Sequence, residues 1–201
     1  MSTDVPILDD LQRGIVYLAC PYTHENDSVM EWRASRATEL ATWLTRRGVT
    51  VFSPLTQSRE MERMARLGTP NPLPTSYQFW KRHDRKFVEV STSLLILTLD
   101  GWAESVGVND EIHRALDYSL PIFLARELDR ASFGEDRYEL KRAPYSVDSR
   151  QNEVSIQGNL FTKLELTSQT VDGEGRVTNG YLHPSTADFS ASQAEGSADG
   201  E

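Results

Sequence analysis

The chain has 201 residues, of which 38% are hydrophobic, and a formal net charge of −9. That length suits one domain of roughly 100–150 residues with additional chain, and no apolar run approaches the ~20 residues a membrane helix requires. The acidic balance argues against a protein that wraps duplex nucleic acid, because the phosphates would repel it, but a small anion can still be held at a helix N-terminus.

Met1 to Arg13 are polar and acidic, without the basic and apolar regions of a signal peptide. They read as an N-terminal extension (1–13), and cytoplasmic placement is the expectation. Cys20 is the single cysteine, which excludes an intramolecular disulfide and a cysteine-cluster zinc site. The four histidines show no ligand spacing, so no metal is expected.

Ile15 to Ala19 form a short apolar run without alternation, the pattern of a strand buried in a parallel sheet. Pro21 forces a loop over Cys20–His24. Asp27 or Ser28 is placed to cap a helix that runs to about Arg47, with Met30, Ala34, Ala37, Leu40, Ala41 and Leu44 on one face. Gly48 ends that helix, Val49 to Phe52 form a second strand, and Pro54 closes it. Residues 54 to 74 read as irregular chain with a short charged helical stretch, Arg59 to Leu67. Loops of that length often serve as lids or substrate loops, and a plain surface excursion gives the same pattern.

A further helix is expected from about Ser76 to Val90. Leu94 to Leu99 is the most hydrophobic stretch and reads as a central strand. A loop from Asp100 to Ser105 leads into a helix from about Gly107 to Tyr118, and Pro121 to Leu124 form a fourth strand. Strands that alternate with helices of this length imply right-handed crossovers. The fold class is therefore α/β, a three-layer sandwich with a small parallel, Rossmann-like (flavodoxin-like) sheet, over residues 14–130. Beyond, residues 131–184 read as a C-terminal extension. Glu153–Gln157 and Phe161–Leu166 alternate weakly, as hairpin strands do. Residues 185–201 contain serine, alanine, glycine and acids without a basic residue, the composition of a disordered tail.

Ligands of open parallel sheets bind beyond the carboxyl ends of the strands. Those ends are Cys20–His24, Ser53–Gln57 and Asp100–Ser105, three polar loops around one crevice. On the helix from Ser76, Tyr77, Trp80, Phe87 and Val88 share a stripe, with Asp84 in its middle. A carboxylate turned inward needs partners. On the next helix, Val108, Ile112, Ala115, Leu116 and Ser119 face the sheet. Glu111 flanks them, and Asp110 is expected to point to solvent. An expected place in the first turn would let the helix dipole keep Glu111 ionised, as a nucleophile must be. An ordinary acidic first turn gives the same spacing. Ser105 and Gly107 offer a hydroxyl, free N–H groups and close backbone approach at a helix start, which suits an anion.

Taken together, Asp100-Gly-Trp-Ala-Glu-Ser-Val-Gly-Val-Asn-Asp-Glu111 after a hydrophobic strand, Tyr17-Leu-Ala-Cys-Pro-Tyr-Thr-His24, and Trp80-Lys-Arg-His-Asp84 resemble the nucleoside 2-deoxyribosyltransferase superfamily. The closer likeness is to its 2-deoxynucleoside 5′-monophosphate N-glycosidases and to related phage and bacterial domains of unassigned function. The likeness covers about residues 14 to 125. It implies that Glu111 attacks the anomeric carbon and that Asp84 assists the leaving base or the later water, the retaining logic of glycosidases. The transferases carry Asp where this chain has Ser105, and the monophosphate hydrolases carry Ser there as a phosphate ligand, so a phosphorylated substrate and transfer to water are implied. Cys20, Tyr22, His24, Trp80, Asp100, Trp102, Ser105 and Gly107 would line the substrate site. Tyr22 and Trp102 suit stacking on the base, and packing in the core or at the rim suits each equally.

The chain departs from the hydrolases at Cys20-Pro21-Tyr22, where they carry a Gly-Ser pair, and at Asn109, where many members have glycine. No cofactor is implied, and the partner is a small nucleoside or nucleotide, with no duplex nucleic acid and no membrane. A homodimer or higher homo-oligomer is compatible, as is the host cytoplasm if the chain is phage-encoded. Two rival readings remain: a NAD glycohydrolase-like enzyme and a non-catalytic nucleotide sensor or accessory protein.

Overall fold

The computed structural model describes residues 5–68, 73, 77–128, 137–148, 153–162, 166–171 and 177–181. The elements in chain order are α1 (Val5–Leu11), β1 (Ile15–Ala19), α2 (Asp27–Arg46), β2 (Thr50–Phe52), α3 (Pro54–Gly68), α4 (Tyr77–Val90), β3 (Ser93–Leu97), α5 (Val106–Asp117), β4 (Ile122–Glu127) and β5 (Tyr138–Arg142). The main sheet has the order β2-β1-β3-β4-β5. The first four strands are parallel, and β5 pairs antiparallel with β4. The chain is thus α/β with a five-stranded, mostly parallel sheet flanked by helices, and its strand order is that of flavodoxin-like folds.

Alternation along the strands divides the core in two. Val16 and Leu18 of β1, Leu95 and Leu97 of β3, and Phe123 and Ala125 of β4 pack with Leu40 and Leu44 of α2. Tyr17, Ala19, Leu94, Ile96, Ile122 and Leu124 face the other way, toward Val88 of α4 and Val108, Ile112 and Ala115 of α5. These faces are continuous because Val16 to Ala19 of β1, all of β3 and Ile122 to Ala125 of β4 are buried, whichever face of the sheet each residue points to.

Four local expectations are corrected. Asn26, not Asp27 or Ser28, caps α2, its Oδ1 accepting from the Ser28 amide at 2.8 Å. Pro54 does not close β2 into an irregular loop but opens a fifteen-residue helix, because its fixed φ suits the first helical position. Leu55, Ser58, Met61 and Ala65, all partly covered, recur at helical spacing along α3. The third correction is β5, whose sequence Tyr-Glu-Leu-Lys-Arg has three charged residues among five: it lies at the sheet edge, where only Tyr138 and Leu140 are buried. The fourth concerns the segment read as an extension. Within it α1 carries Leu11, which is fully buried in the α2-side core.

After β5 come β6 (Tyr145–Asp148), β7 (Glu153–Ile156) and β8 (Asn159–Thr162), which form a three-stranded antiparallel sheet. Val154 and Ile156 are buried against the α5-side core. Gln157 and Gly158 join β7 to β8 with φ of 51° and 81°, the two left-handed positions of a hairpin turn. Contacts divide the chain into units 1–163 and 164–201. In the second, β9 (Leu166–Val171) and β10 (Val177–Tyr181) pair antiparallel. The tail expected over 185–201 and the Tyr77 side chain lie outside the described residues. Among those residues no helix is long and apolar enough to cross a membrane.

If α1 is part of the domain, Leu11→Ala should cost about 2–5 kcal/mol, the usual loss for a buried leucine. A denaturant titration measures this, and a change below about 0.5 kcal/mol, typical of surface sites, would mean that α1 does not contribute to the core.

Candidate active site

Tyr17 lies in the middle of β1, fully buried, with its ring on the α4–α5 side of the sheet. A tyrosine hydroxyl carried that deep must find a partner. It donates to Glu111 Oε1 at 2.6 Å, joining the first strand to α5 across 94 positions of sequence. Glu111 keeps part of its surface open while its carboxyl is densely surrounded.

Burial works against the expectation that Glu111 stays ionised. Its pKa is pushed up to about 8 by burial, with Asp84 and Asp110 adding to the rise against the opposing Tyr17 hydrogen bond. The dipole argument fails because α5 begins at Val106, so that Glu111 stands beyond its first turn, and the dipole's influence fades within that turn. Asp110 is likewise not turned to solvent. Its side chain is 15% exposed and accepts from Lys81 Nζ at 2.6 Å, which ties α5 to α4.

Asp84 sits on α4 between Trp80 and Val88. Burial raises its pKa, and the hydrogen bond and charge of His83, whose Nδ1 is 2.9 Å from Asp84 Oδ1, oppose that rise. Asp84 also acts electrostatically on both Glu111 and Tyr17. The two carboxyl groups singled out from the sequence therefore share one side of the sheet, above Tyr17. Trp80 packs edge-on to Phe79 and His83, and its indole N–H is buried without a hydrogen-bond acceptor.

The loops at the strand ends are held by a residue that the sequence reading missed. Arg33, 8% exposed, reaches from α2 to donate to Thr23 O at 2.9 Å, Tyr22 O at 3.4 Å and Asp100 O at 2.7 Å. One guanidinium thus pins the loop after β1 to the loop after β3. Gly101 makes room for it: its φ is +81°, and a Cβ there would stand 3.0 Å from Arg33 Nη2. The signal was present in the spacing, since Arg33 falls on the same helical face as Met30 and Ala37.

The other expected residues differ in their surroundings. Cys20 Sγ lies 3.4 Å from Pro21 O, and burial first, then Glu111, push the thiol up to about 12, which makes it a poor nucleophile. Tyr22 is half-buried, and His24 is exposed, its Nδ1 accepting from the Asn26 amide. Trp102 packs against the α5-side core. Asp100 is exposed and enters the site through its carbonyl. Ser105 is the N-cap of α5, its Oγ accepting from Val108 N at 3.4 Å. Gly107 follows within the first turn, where an added Cβ would meet nothing closer than Ser105 Oγ at 3.9 Å.

The family described as "Domain of unknown function (DUF1937)" matches residues 14–127, which run from the residue before β1 to the end of β4. The chain belongs to this family. That segment of the DUF1937 chain carries Tyr17, Arg33, Asp84 and Glu111. No curated protein matches the chain. Among solved structures it is similar to a 2-deoxyribosyltransferase from Bacillus psychrosaccharolyticus, at 21% identity and a TM-score of 0.38, over 58% of this chain and 77% of that one.

The raised pKa of Glu111 has a thermodynamic signature. Below about pH 4.5 the group is protonated whether the chain is folded or not; between there and about 8 only the folded chain retains the proton. Its contribution to stability is therefore complete below about 4.5 and lost as pH rises through about 8. Glu111→Gln should flatten the fall in Tm over that window and melt higher than the parent at its alkaline end. Parallel melting profiles would show a solvated carboxylate at Glu111.

Proposed function

We propose that this protein cleaves the bond between base and sugar in a nucleoside or deoxynucleoside 5′-monophosphate, as an N-glycosidase or deoxyribosyltransferase with Glu111 as nucleophile. The observation that carries the reading is the pair of enclosed carboxyl groups, Glu111 and Asp84, over the buried Tyr17 hydroxyl. Two carboxyls with different partners can divide the roles of nucleophile and proton donor. The motif resemblance over residues 14–125 points to the same chemistry.

In this reading the reactive state has Glu111 ionised, with Tyr17 donating to Oε1 and Oε2 free to attack. Attack forms a bond from Oε2 to the anomeric carbon while the carbon–nitrogen bond breaks and its electron pair leaves with the base. Asp84, whose pKa burial raises, gives its proton to that base. Water, or an acceptor base in the transfer reaction, then attacks the sugar ester. Asp84 takes its proton, and Glu111 is released. His83 orients Asp84, and Tyr17 steadies Glu111 in the ionised form, opposing its burial.

Free-base release from a panel of nucleosides, their 5′-monophosphates and NAD tests the reading. Release from a monophosphate is expected, with a rate that climbs as pH rises toward about 8 and Glu111 ionises. Glu111→Gln should lose several orders of magnitude in turnover while retaining substrate binding. Asp110→Asn is not an inert control, because it deprives the buried Lys81 of this carboxylate; exposed Glu104→Gln serves instead. Release from NAD alone would select the glycohydrolase reading. Nucleotide binding without any release would select the sensor.

Ser105 supplies a separate test. As N-cap its loss should cost about 0.5–2 kcal/mol of stability on any reading. As a phosphate ligand it would also contribute about 1.5–3 kcal/mol of discrimination, so Ser105→Ala should lose roughly tenfold or more on the monophosphate and little on the free nucleoside. Equal losses on both substrates would leave Ser105 as a cap alone.

A further inference from the structure

β2 is the end strand of the main sheet: β1 pairs with one side of it, and no described strand pairs with the other. A cavity of about 630 Å³ lies against it and touches three consecutive residues, Val51, Phe52 and Ser53. Successive strand residues point to opposite faces, so a cavity that meets all three runs along the edge rather than under one face. The remaining walls agree. Ala41 and Thr42 belong to α2, on one side of the sheet, and Phe87 belongs to α4, on the other.

The cleft has direction as well as volume. Its α2 wall extends from Thr38 to Arg46, about 12 Å at the helical rise, which is the length of three or four residues of extended chain. Ser53, Thr56 and Gln57 also line the cleft. Ser53 is 5% exposed and its hydroxyl has no partner. Thr38, Thr42 and Thr45 each donate to the carbonyl four residues earlier, so the faces they leave for the cleft are a methyl group and an accepting oxygen. At the far end, exposed Arg46 has no acidic partner among the described residues. The floor is apolar, with Phe52 stacked on Phe87 at 3.7 Å.

A sheet edge offers donors and acceptors in alternation, and another extended backbone is the ligand that matches such a row. We propose that this cleft binds an extended peptide as a further strand beside β2, with a carboxylate of the peptide against Arg46. The edge hydrogen bonds supply affinity, the Ala41–Phe52 floor takes small or β-branched side chains, and Arg46 selects for acid. A second copy of the chain is an alternative occupant that the experiment distinguishes.

The experiment uses the isotope-labelled full chain and two capped peptides, Ac-Glu-Val-Thr-Val-Thr-NH2 and Ac-Thr-Val-Thr-Val-Glu-NH2, one for each strand direction. The expected result is saturable shifts of the Val51–Ser53 and Thr42 amides with at least one peptide. N-methylation of alternate peptide bonds should abolish binding in one phase and spare it in the other. Arg46→Glu should weaken binding about tenfold and favour a peptide with Lys in place of Glu, while Ala41→Trp should fill the cleft and block both. Shifts confined to the crevice around Glu111, tolerance of both N-methyl patterns, or the absence of saturable shifts at millimolar peptide would each overturn the proposal. Edge shifts that follow protein concentration alone would also overturn it, in favour of self-association.

Discussion

Everything on the α4–α5 side of the sheet is organised around one hydrogen bond, from the Tyr17 hydroxyl to Glu111. Its geometry requires an aromatic residue on the correct face of β1, a helix that presents Glu111 one position before the buried Ile112, and close contact of both with the sheet. Burial alone would favour a neutral Glu111. The hydrogen bond opposes that tendency without removing it, and the result is a carboxyl poised near neutrality instead of the usual acidic range.

Aromatic contacts connect the same centre to the sheet edge. Tyr17 lies 5.7 Å from Phe52, Phe52 stacks on Phe87, and Phe87 lies 5.4 Å from His83, the partner of Asp84. The carboxyl pair and the edge strand are therefore parts of one packed layer. Interiors of this density transmit small displacements rather than absorbing them.

The sequence disclosed most where burial is two-sided. β1, β3 and β4 are short apolar runs, and only a parallel sheet covered on both faces accommodates such runs in alternation with helices. It disclosed less where a residue's role depends on a distant partner. β5 reads as charged chain because one of its faces is solvated, and Pro54 is both a strand closer and a helix opener until the following stripe of Leu55, Ser58, Met61 and Ala65 is considered. Asp84 and Glu111 were singled out by helical spacing, but the burial that raises both pKa values was not foreseen for Glu111. Glu111 read as an acid at an exposed helix start, whereas the burial that raises its pKa comes from the surrounding elements and leaves no mark in the local sequence. Tyr17 and Arg33 were hidden for a common reason: each is a polar group on an apolar face, and its function lies in a contact with another part of the chain.

Arg33 carries a consequence for the charge of the crevice. Its guanidinium draws the carbonyls of Tyr22, Thr23 and Asp100 toward the interior. A trans peptide unit points its N–H opposite to its C=O, and no cis bond is present among the described residues. The amides of Thr23, His24 and Gly101 are thereby turned away from Arg33, and none has a backbone acceptor among the described residues. A cation placed behind two loops thus orients a row of peptide dipoles with their positive ends outward. In a chain of net charge −9, attraction for an anion can then arise from the backbone itself, with the charged side chain kept out of reach.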